Sequence, residues 1–143
     1  MKTASSFSWL IALALPLLLT GCGQSGPKTY QVSGLATFAG NPIPDGWVIF
    51  TPNSAEQNSG PQGRARIQSG KFDTRVEGGK GVTGGPTIVR IEAYDGNGND
   101  AALNGAPIMA PYEMSVDLPK QKTAQDFEVP ATWARQRFTM PPP

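Results

Sequence analysis

The chain has 143 residues, of which 12 are lysine or arginine and 11 are aspartate or glutamate, so its formal net charge is only +1. It has no histidine and one cysteine, which excludes an internal disulfide, the Ser-His and Cys-His nucleophile systems and most zinc sites. The cations are scattered singly, so we expect no nucleic-acid partner. Glycine (17) and proline (14) are abundant, and because both disfavour helix, the composition predicts an all-β domain.

The N-terminal segment has the features of an export signal. Lys2 is followed by an apolar stretch, Trp9 to Leu19, that is too short to span a membrane. The next residues, Leu19-Thr20-Gly21-Cys22, resemble a bacterial lipobox, where a lipoprotein precursor is lipidated on the cysteine and cleaved just before it. The resemblance implies a signal peptide over residues 1–21 and a membrane partner through lipid on Cys22. An ordinary signal peptide with a chance cysteine is the alternative.

Residues 22–29 are expected to form a short tether between the lipid and a folded domain. The seven residues from Gly23 to Thr29 reach only about 25 Å when fully extended. The domain should therefore lie close to its membrane. In Gram-negative lipoproteins an aspartate after the cysteine favours the inner membrane, and Gly23 stands there instead. The resemblance thus implies the outer membrane, on its periplasmic or surface face.

Seven segments after the tether have the length and period-two alternation of β-strands, with turn residues between them. Ser69-Gly70 predicts a two-residue hairpin turn, which would point Phe72, Thr74 and Val76 inward. Asp95–Pro111 is a 17-residue loop, long enough to be either functional or mobile. A seven-stranded, antiparallel Greek-key β-sandwich is predicted over residues 30–130, with a tail at 131–143. The strands are predicted at residues 32–38, 47–51, 64–68, 71–76, 87–94, 112–118 and 126–129.

The second of these strands is apolar on both faces. Val48 and Phe50 would point to one side, and Trp47 and Ile49 to the other. Such a strand has to be covered on both sides, or it leaves a tryptophan exposed. We expect residues 130–143 to provide the cover, and binding of a sugar or a partner is the alternative. The apolar residues available in that segment are Trp133, Phe138 and Met140.

The stretch from Val32 to Phe50 resembles the opening of carboxypeptidase-regulatory-like domains, which are small transthyretin-like sandwiches common in bacterial lipoproteins. The chain also resembles later blocks of the family, in the same order, at Gly70-Lys71-Phe72, at residues 84–91 and at residues 126–130. Ser69, where the family usually has Asp or Asn, and the long loop after Tyr94 depart from the pattern. The resemblance implies the seven-stranded fold and a non-catalytic module, with no cofactor and no catalytic residue carried over.

The long loop contains a candidate calcium site. Oxygen ligands recur there at near-alternate positions, as a hard cation requires. The EF-hand pattern is not met, since Asp100 stands where that motif has glycine and Ala106 where it has a bidentate glutamate. A polar loop built from good turn formers is the alternative. The candidate ligands are Asp95, Asn97, Asn99 and Asp100.

Two further sets of side chains could carry a function. An aromatic platform for sugars could be formed by Trp47, Tyr94 and Tyr112. Paired carboxylates, as a glycosidase uses, could come from Asp73, Glu77, Glu92 and Asp95, although no catalytic motif surrounds them.

The sequence therefore predicts a membrane-anchored, non-enzymatic binding or structural module of the cell envelope. Its expected partners are the membrane and an envelope protein or glycan. A carbohydrate- or calcium-dependent adhesion module is the alternative, and a carboxylate-based hydrolase is the third possibility.

Overall fold

The computed structural model describes residues 26–135, which form nine β-strands and two short 3₁₀ segments. The predicted signal peptide, Cys22, the start of the tether and the end of the tail lie outside these residues. Neither 3₁₀ segment in this range is long and apolar enough to cross a membrane. The strands are β1 (Val32–Phe38), β2 (Asn41–Pro42), β3 (Asp45–Pro52), β4 (Gly63–Gln68), β5 (Lys71–Asp73), β6 (Gly85–Tyr94), β7 (Tyr112–Leu118), β8 (Thr123–Ala124) and β9 (Phe127–Val129). The 3₁₀ segments are Ser54–Glu56 and Ala131–Arg135.

All nine strands belong to one curled sheet whose two halves pack face to face. The strand order is β2-β1-β5-β4-β3-β6-β7, with β8 and β9 paired to β1. Phe50 on β3 lies 6.3 Å from Phe72 on β5 and 6.1 Å from Phe127 on β9, measured between ring centroids. Because β3 and β9 are not neighbours in the sheet, this contact joins opposite halves. The all-β sandwich predicted from the sequence is confirmed.

Period-two alternation along the strands separates a core face from an outer face. On β6, Val89 and Ile91 are fully buried, whereas Arg90 between them remains partly exposed. On β3, Val48 and Phe50 enter the core and Trp47 lies on the outer face, as predicted. A strand that alternates in this way can pair only in the register that buries its apolar side.

The antiparallel part of the sheet follows a short meander. The strands β3, β4 and β5 are hydrogen-bonded in sequence, and β6 returns to pair with β3 over eight residue pairs. The order β6-β3-β4-β5 is the one expected of a Greek key. Greek-key connectivity for the whole domain stays a prediction.

Two features differ from the sequence prediction. The last strands, β8 and β9, pair with β1 in parallel rather than antiparallel, because the chain crosses from β7 to the opposite half of the sandwich before it pairs again. The fourth predicted strand ends at Asp73, and Val76 is 52 % exposed instead of pointing inward. Asp73 ends β5 because its Oδ1 accepts a hydrogen bond from the Arg75 amide at 2.8 Å and turns the chain.

The strand directions place the connecting loops at two ends of the sandwich. We call one the tether end, because the chain enters β1 there. The Tyr30 amide donates to Val82 O at 2.7 Å and the Thr123 amide to Gln31 O at 2.9 Å, which brings the neighbouring loops together. The tether end comprises residues 26–31, 53–62, 74–84 and 119–122, and the far end comprises residues 39–44, 69–70, 95–111 and 130–135.

Substitution of Phe127 by alanine should lower the free energy of unfolding by about 3–5 kcal/mol, because it opens a cavity in the aromatic contact between the two halves. Phe127 is 2 % exposed and its ring stacks on Phe72 at 5.6 Å. Leu103→Ala is the control, since Leu103 is 83 % exposed and its loss should change stability by less than about 0.5 kcal/mol. Urea unfolding measures both, and equal effects would contradict this account of the core.

Candidate functional site

The Asp95–Pro111 loop folds back on itself as an irregular hairpin at the far end of the sandwich. The Asp95 amide donates to Ala106 O at 2.9 Å, and Asn99 and Ala102 exchange backbone hydrogen bonds of 3.0 and 3.1 Å nearer the tip. The returning arm is fastened to β6, since the Ile108 amide donates to Ala93 O at 3.0 Å. The Met109 side chain then enters the core, where it is 5 % exposed. The loop is therefore held along its length, in spite of its 17 residues.

Asp95 joins the two arms of this hairpin. Its Oδ1 accepts hydrogen bonds from the Asn97 amide at 2.9 Å and the Ala106 amide at 3.0 Å. The bond from the Asn97 amide is the main cause of a lowered pKa for Asp95, and the Ala106 amide lowers that pKa further. The ionised carboxylate is the form that these donors favour. The charge of Asp95 thus serves to shape the loop.

Gly105 lets the returning arm pass close to this carboxylate. Its φ of +86° lies in the left-handed region that glycine adopts without cost. A Cβ atom added there would collide with Asp95 Oδ1 and would lie 2.8 Å from the Asn97 backbone nitrogen. Position 105 therefore requires glycine for two reasons. Its φ is positive, and the neighbouring atoms leave no space for a Cβ atom.

The predicted calcium ligands share this loop, but some of their oxygens already accept hydrogen bonds from it. Asn99 Oδ1 accepts from the amides of Ala101 and Ala102 at 2.9 and 3.0 Å, and Asp95 Oδ1 is used as described above. Within residues 26–135, no three His, Cys, Asp or Glu side chains are grouped to hold a metal ion. Calcium binding by Asp95, Asn97, Asn99 and Asp100 stays a prediction, and the polar-loop alternative accounts for the hydrogen bonds that Asp95 and Asn99 accept.

Leu103 is the most exposed large apolar side chain in the described chain, with 83 % of its surface accessible, and it lies beside the hairpin tip. Sequence reasoning did not single it out. A lone leucine among glycine, alanine, asparagine and aspartate could have drawn attention, because such a tip has no core to bury it in. The structure thus presents an isolated apolar side chain on an ordered loop.

The three aromatic residues predicted as a platform lie on two different faces. Trp47 pairs with Glu92 and Tyr94 with Asp45, which puts both rings on the outer face of β3 and β6. Tyr112 instead pairs with the buried Ile91, and its ring packs against the core. A single platform of the three is therefore not formed. Sugar binding at Trp47 stays a prediction.

The expected cover of Trp47 by the C-terminal segment is wrong for Trp133. The Trp133 ring instead meets Tyr112 edge to face, with centroids 5.1 Å apart, and its Nε1 donates to Ala110 O at 3.0 Å. The reason is geometric, since β9 ends at the far end and delivers Trp133 beside the start of β7. Phe138 and Met140 lie outside the described residues.

Trp47 is covered in part by Arg64 and by the loop that follows β5. The Arg64 guanidinium carbon lies 5.5 Å from the centre of the indole, a cation–π arrangement. Arg64 Nε also donates to Gly78 O at 3.0 Å, which holds the loop beside the ring. Trp47 thereby lines a cavity of about 400 Å³. This cavity shares Arg66, Gln68 and Val76 with a neighbouring one of about 510 Å³.

Arg66 crosses the outer face between these cavities and is fixed by Asp45. Its Nε and Nη2 donate to the two carboxylate oxygens of Asp45 at 3.2 and 2.6 Å. The hydrogen bond to Asp45 is the main cause of a raised pKa for Arg66, and the charge attraction to the same carboxylate adds to it. Two parallel hydrogen bonds orient the guanidinium plane, so Arg66 forms a fixed wall shared by the two cavities.

Three of the four carboxylates considered for hydrolysis have separate partners. Asp73 Oδ2 accepts from Gln31 Nε2 at 2.7 Å, and Glu92 forms an ion pair with Arg90 at 3.0 Å. Asp95 binds backbone amides of its own loop. Asp73 and Glu77 line the two adjoining cavities, one each. Hydrolysis stays an untested possibility.

Comparison with known proteins adds no assignment. No family model matches the chain, and none of the curated proteins compared with it matches either.

Replacement of Gly105 by alanine should open the far-end hairpin, because the new Cβ would displace the Asp95 carboxylate. Gly40→Ala is a matched control, since Gly40 has φ +78° but no heavy atom within 4 Å of the place where its Cβ would lie. Both variants carry the cost of a left-handed alanine, about 1–3 kcal/mol. Faster amide hydrogen exchange at Asn97 and Ala106 is expected only for Gly105→Ala. Equal exchange in the two variants would contradict the role given to Asp95.

Proposed function

We propose that this protein is a lipid-anchored, non-catalytic binding module of a bacterial cell envelope, and that it presents the Asp95–Pro111 loop to an envelope protein. The single observation that carries the binding role is the exposed Leu103 on a loop that Asp95 and Met109 hold in place. Rigid scaffolds that display an ordered loop commonly recognise partners in this way.

The anchor is supported by the sequence around Cys22 and by where the folded domain begins. Within the described residues, backbone pairing starts at Tyr30, which bonds to Val82 in both directions at 2.7 and 2.9 Å. Only seven residues separate Cys22 from Tyr30, so a lipid on Cys22 would hold the tether end within about 25 Å of the membrane. The far end, with its long loop, would then be the part of the domain best placed to meet a partner.

The contact chemistry expected at the loop is a small apolar patch with a polar rim. Leu103 supplies the apolar centre, and full burial of such a side chain contributes about 1.5–3 kcal/mol. Ile108, 36 % exposed, lies on the same loop and could widen the patch. Because the hairpin is already ordered, a partner would lose little of this energy to ordering the loop.

A Cys22→Ala variant should be lost from the detergent-extracted membrane fraction, since the acyl chains on that cysteine would be the anchor. About 0.8 kcal/mol per buried methylene makes two or more chains a stable attachment. Cell fractionation and mass measurement of the wild-type N-terminus provide the readout, with Ser25→Ala as the control. A Cys22→Ala chain that remains membrane-bound would contradict the lipid anchor.

A photo-crosslinking amino acid at position 103 should capture a discrete envelope protein in intact cells, because Leu103 would lie in the contact. The same amino acid at Ser115, which is exposed on the outer face of β7, should not capture that protein. Gly105→Ala should abolish the adduct and Gly40→Ala should retain it. An absence of adducts at position 103, or the same adducts at both positions, would contradict a binding role for the loop.

A further inference from the structure

The loops of the tether end carry an excess of positive charge. Five exposed cations lie in residues 26–31, 53–62, 74–84 and 119–122, against two carboxylates, Glu56 and Glu77. The loops of the far end instead have Asp95 and Asp100 against one arginine. The domain is thus polarised along the strand direction, although the whole chain is almost neutral. The five cations are Lys28, Arg75, Lys80, Lys120 and Lys122.

These cations are gathered by the way the loops meet. The Arg75 guanidinium reaches Thr29 O at 3.4 Å, and the Lys28 ammonium lies 5.4 Å from the centre of the Tyr30 ring. On the adjoining loop, Lys120 lies against Gly84, whose added Cβ would be 2.8 Å from Lys120 Cγ. The cations therefore surround the point at which the tether joins the domain.

The charges of these five cations are not neutralised by ion pairs within residues 26–135. The three ion pairs formed within residues 26–135 belong to Arg66 and Arg90, and none includes a cation of the tether end. Glu56 and Asp73 accept side-chain hydrogen bonds from the neutral amides of Asn53 and Gln31, at 2.7 Å each, and in the described part of the chain they form no ion pair with these cations. Positive charge at this end consequently remains available to a partner.

Clustered basic side chains are typical of surfaces that lie on anionic lipid headgroups. The length of the tether points to the same partner, because it keeps this end within about 25 Å of the membrane.

We propose that the tether end of the sandwich docks onto the anionic headgroups of the membrane that holds the Cys22 lipid. This inference rests on the proposed lipid anchor. The docked domain contacts the membrane through its cationic loops and directs the Asp95–Pro111 loop away from the membrane. The partner surface is a lipid bilayer with phosphate-bearing, negatively charged headgroups.

The test uses the full lipidated chain, added to preformed vesicles so that every domain lies outside. One set of vesicles is phosphatidylcholine, and the other contains about one third phosphatidylglycerol. A membrane-impermeant amine reagent then labels lysines, which are quantified by mass spectrometry. Lys80, Lys120 and Lys122 should be protected about threefold by the anionic vesicles relative to Lys71 near the far end, and salt should remove this protection.

Variants separate docking from anchoring. Lys120→Glu combined with Lys122→Glu should abolish the protection of Lys80, and Lys71→Glu, a single charge reversal near the far end, should leave it unchanged. Vesicle flotation reports the lipid anchor independently, so a chain that does not float refutes the anchor, whereas a chain that floats without protection refutes the docking. Protection that appears in native membranes but not in pure lipid vesicles would also overturn the proposal and assign this face to an acidic protein.

Discussion

The contact between Phe50, Phe72 and Phe127 is the constraint on which the rest of the structure depends. It brings together strands that are distant in the sheet, since β3 lies in one half of the sandwich and β9 in the other. With the halves closed on this cluster, the loops separate into two ends. The closure brings loops that are far apart in the sequence to the same end of the sandwich. One end gathers the basic loops beside the tether, and the other carries the long loop.

The outer face of the sheet carries a large aromatic residue that is not part of the core. Trp47 shares its strand with buried neighbours, and it is sheltered by Arg64 rather than by another layer of structure. Arg66, fixed by Asp45, continues this charged cover. A tryptophan covered by one hydrogen-bonded arginine differs from one sealed in a core, since the Trp47 ring still lines a cavity.

Much of the fold could be predicted from the residues, and the errors have physical causes. Alternation of buried and exposed positions identified the seven longer segments, because burial of one face requires it. The same alternation wrongly extended β5 to Val76, since the pattern does not register that Asp73 turns the chain. The two-residue strands β2 and β8 are too short to have a pattern. The site was predicted less well, since the register of β7 turns Tyr112 away from the outer face, and Trp133 packs against Tyr112 instead of covering Trp47.

The sequence by itself determined the class of domain and the existence of a long loop, and it identified Cys22 as the candidate for lipidation. These three follow from composition, motif and strand periodicity, which are local properties. Only the tertiary structure decided which loops share an end, and with them where the cations gather and where Leu103 projects. That decision depends on strand direction and on the crossing from β7 to β8, which are set by packing between residues far apart in the chain. Asp95 illustrates the difference, since the sequence shows only a carboxylate among turn residues, and the structure adds that its Oδ1 accepts the backbone hydrogen bonds that shape the loop.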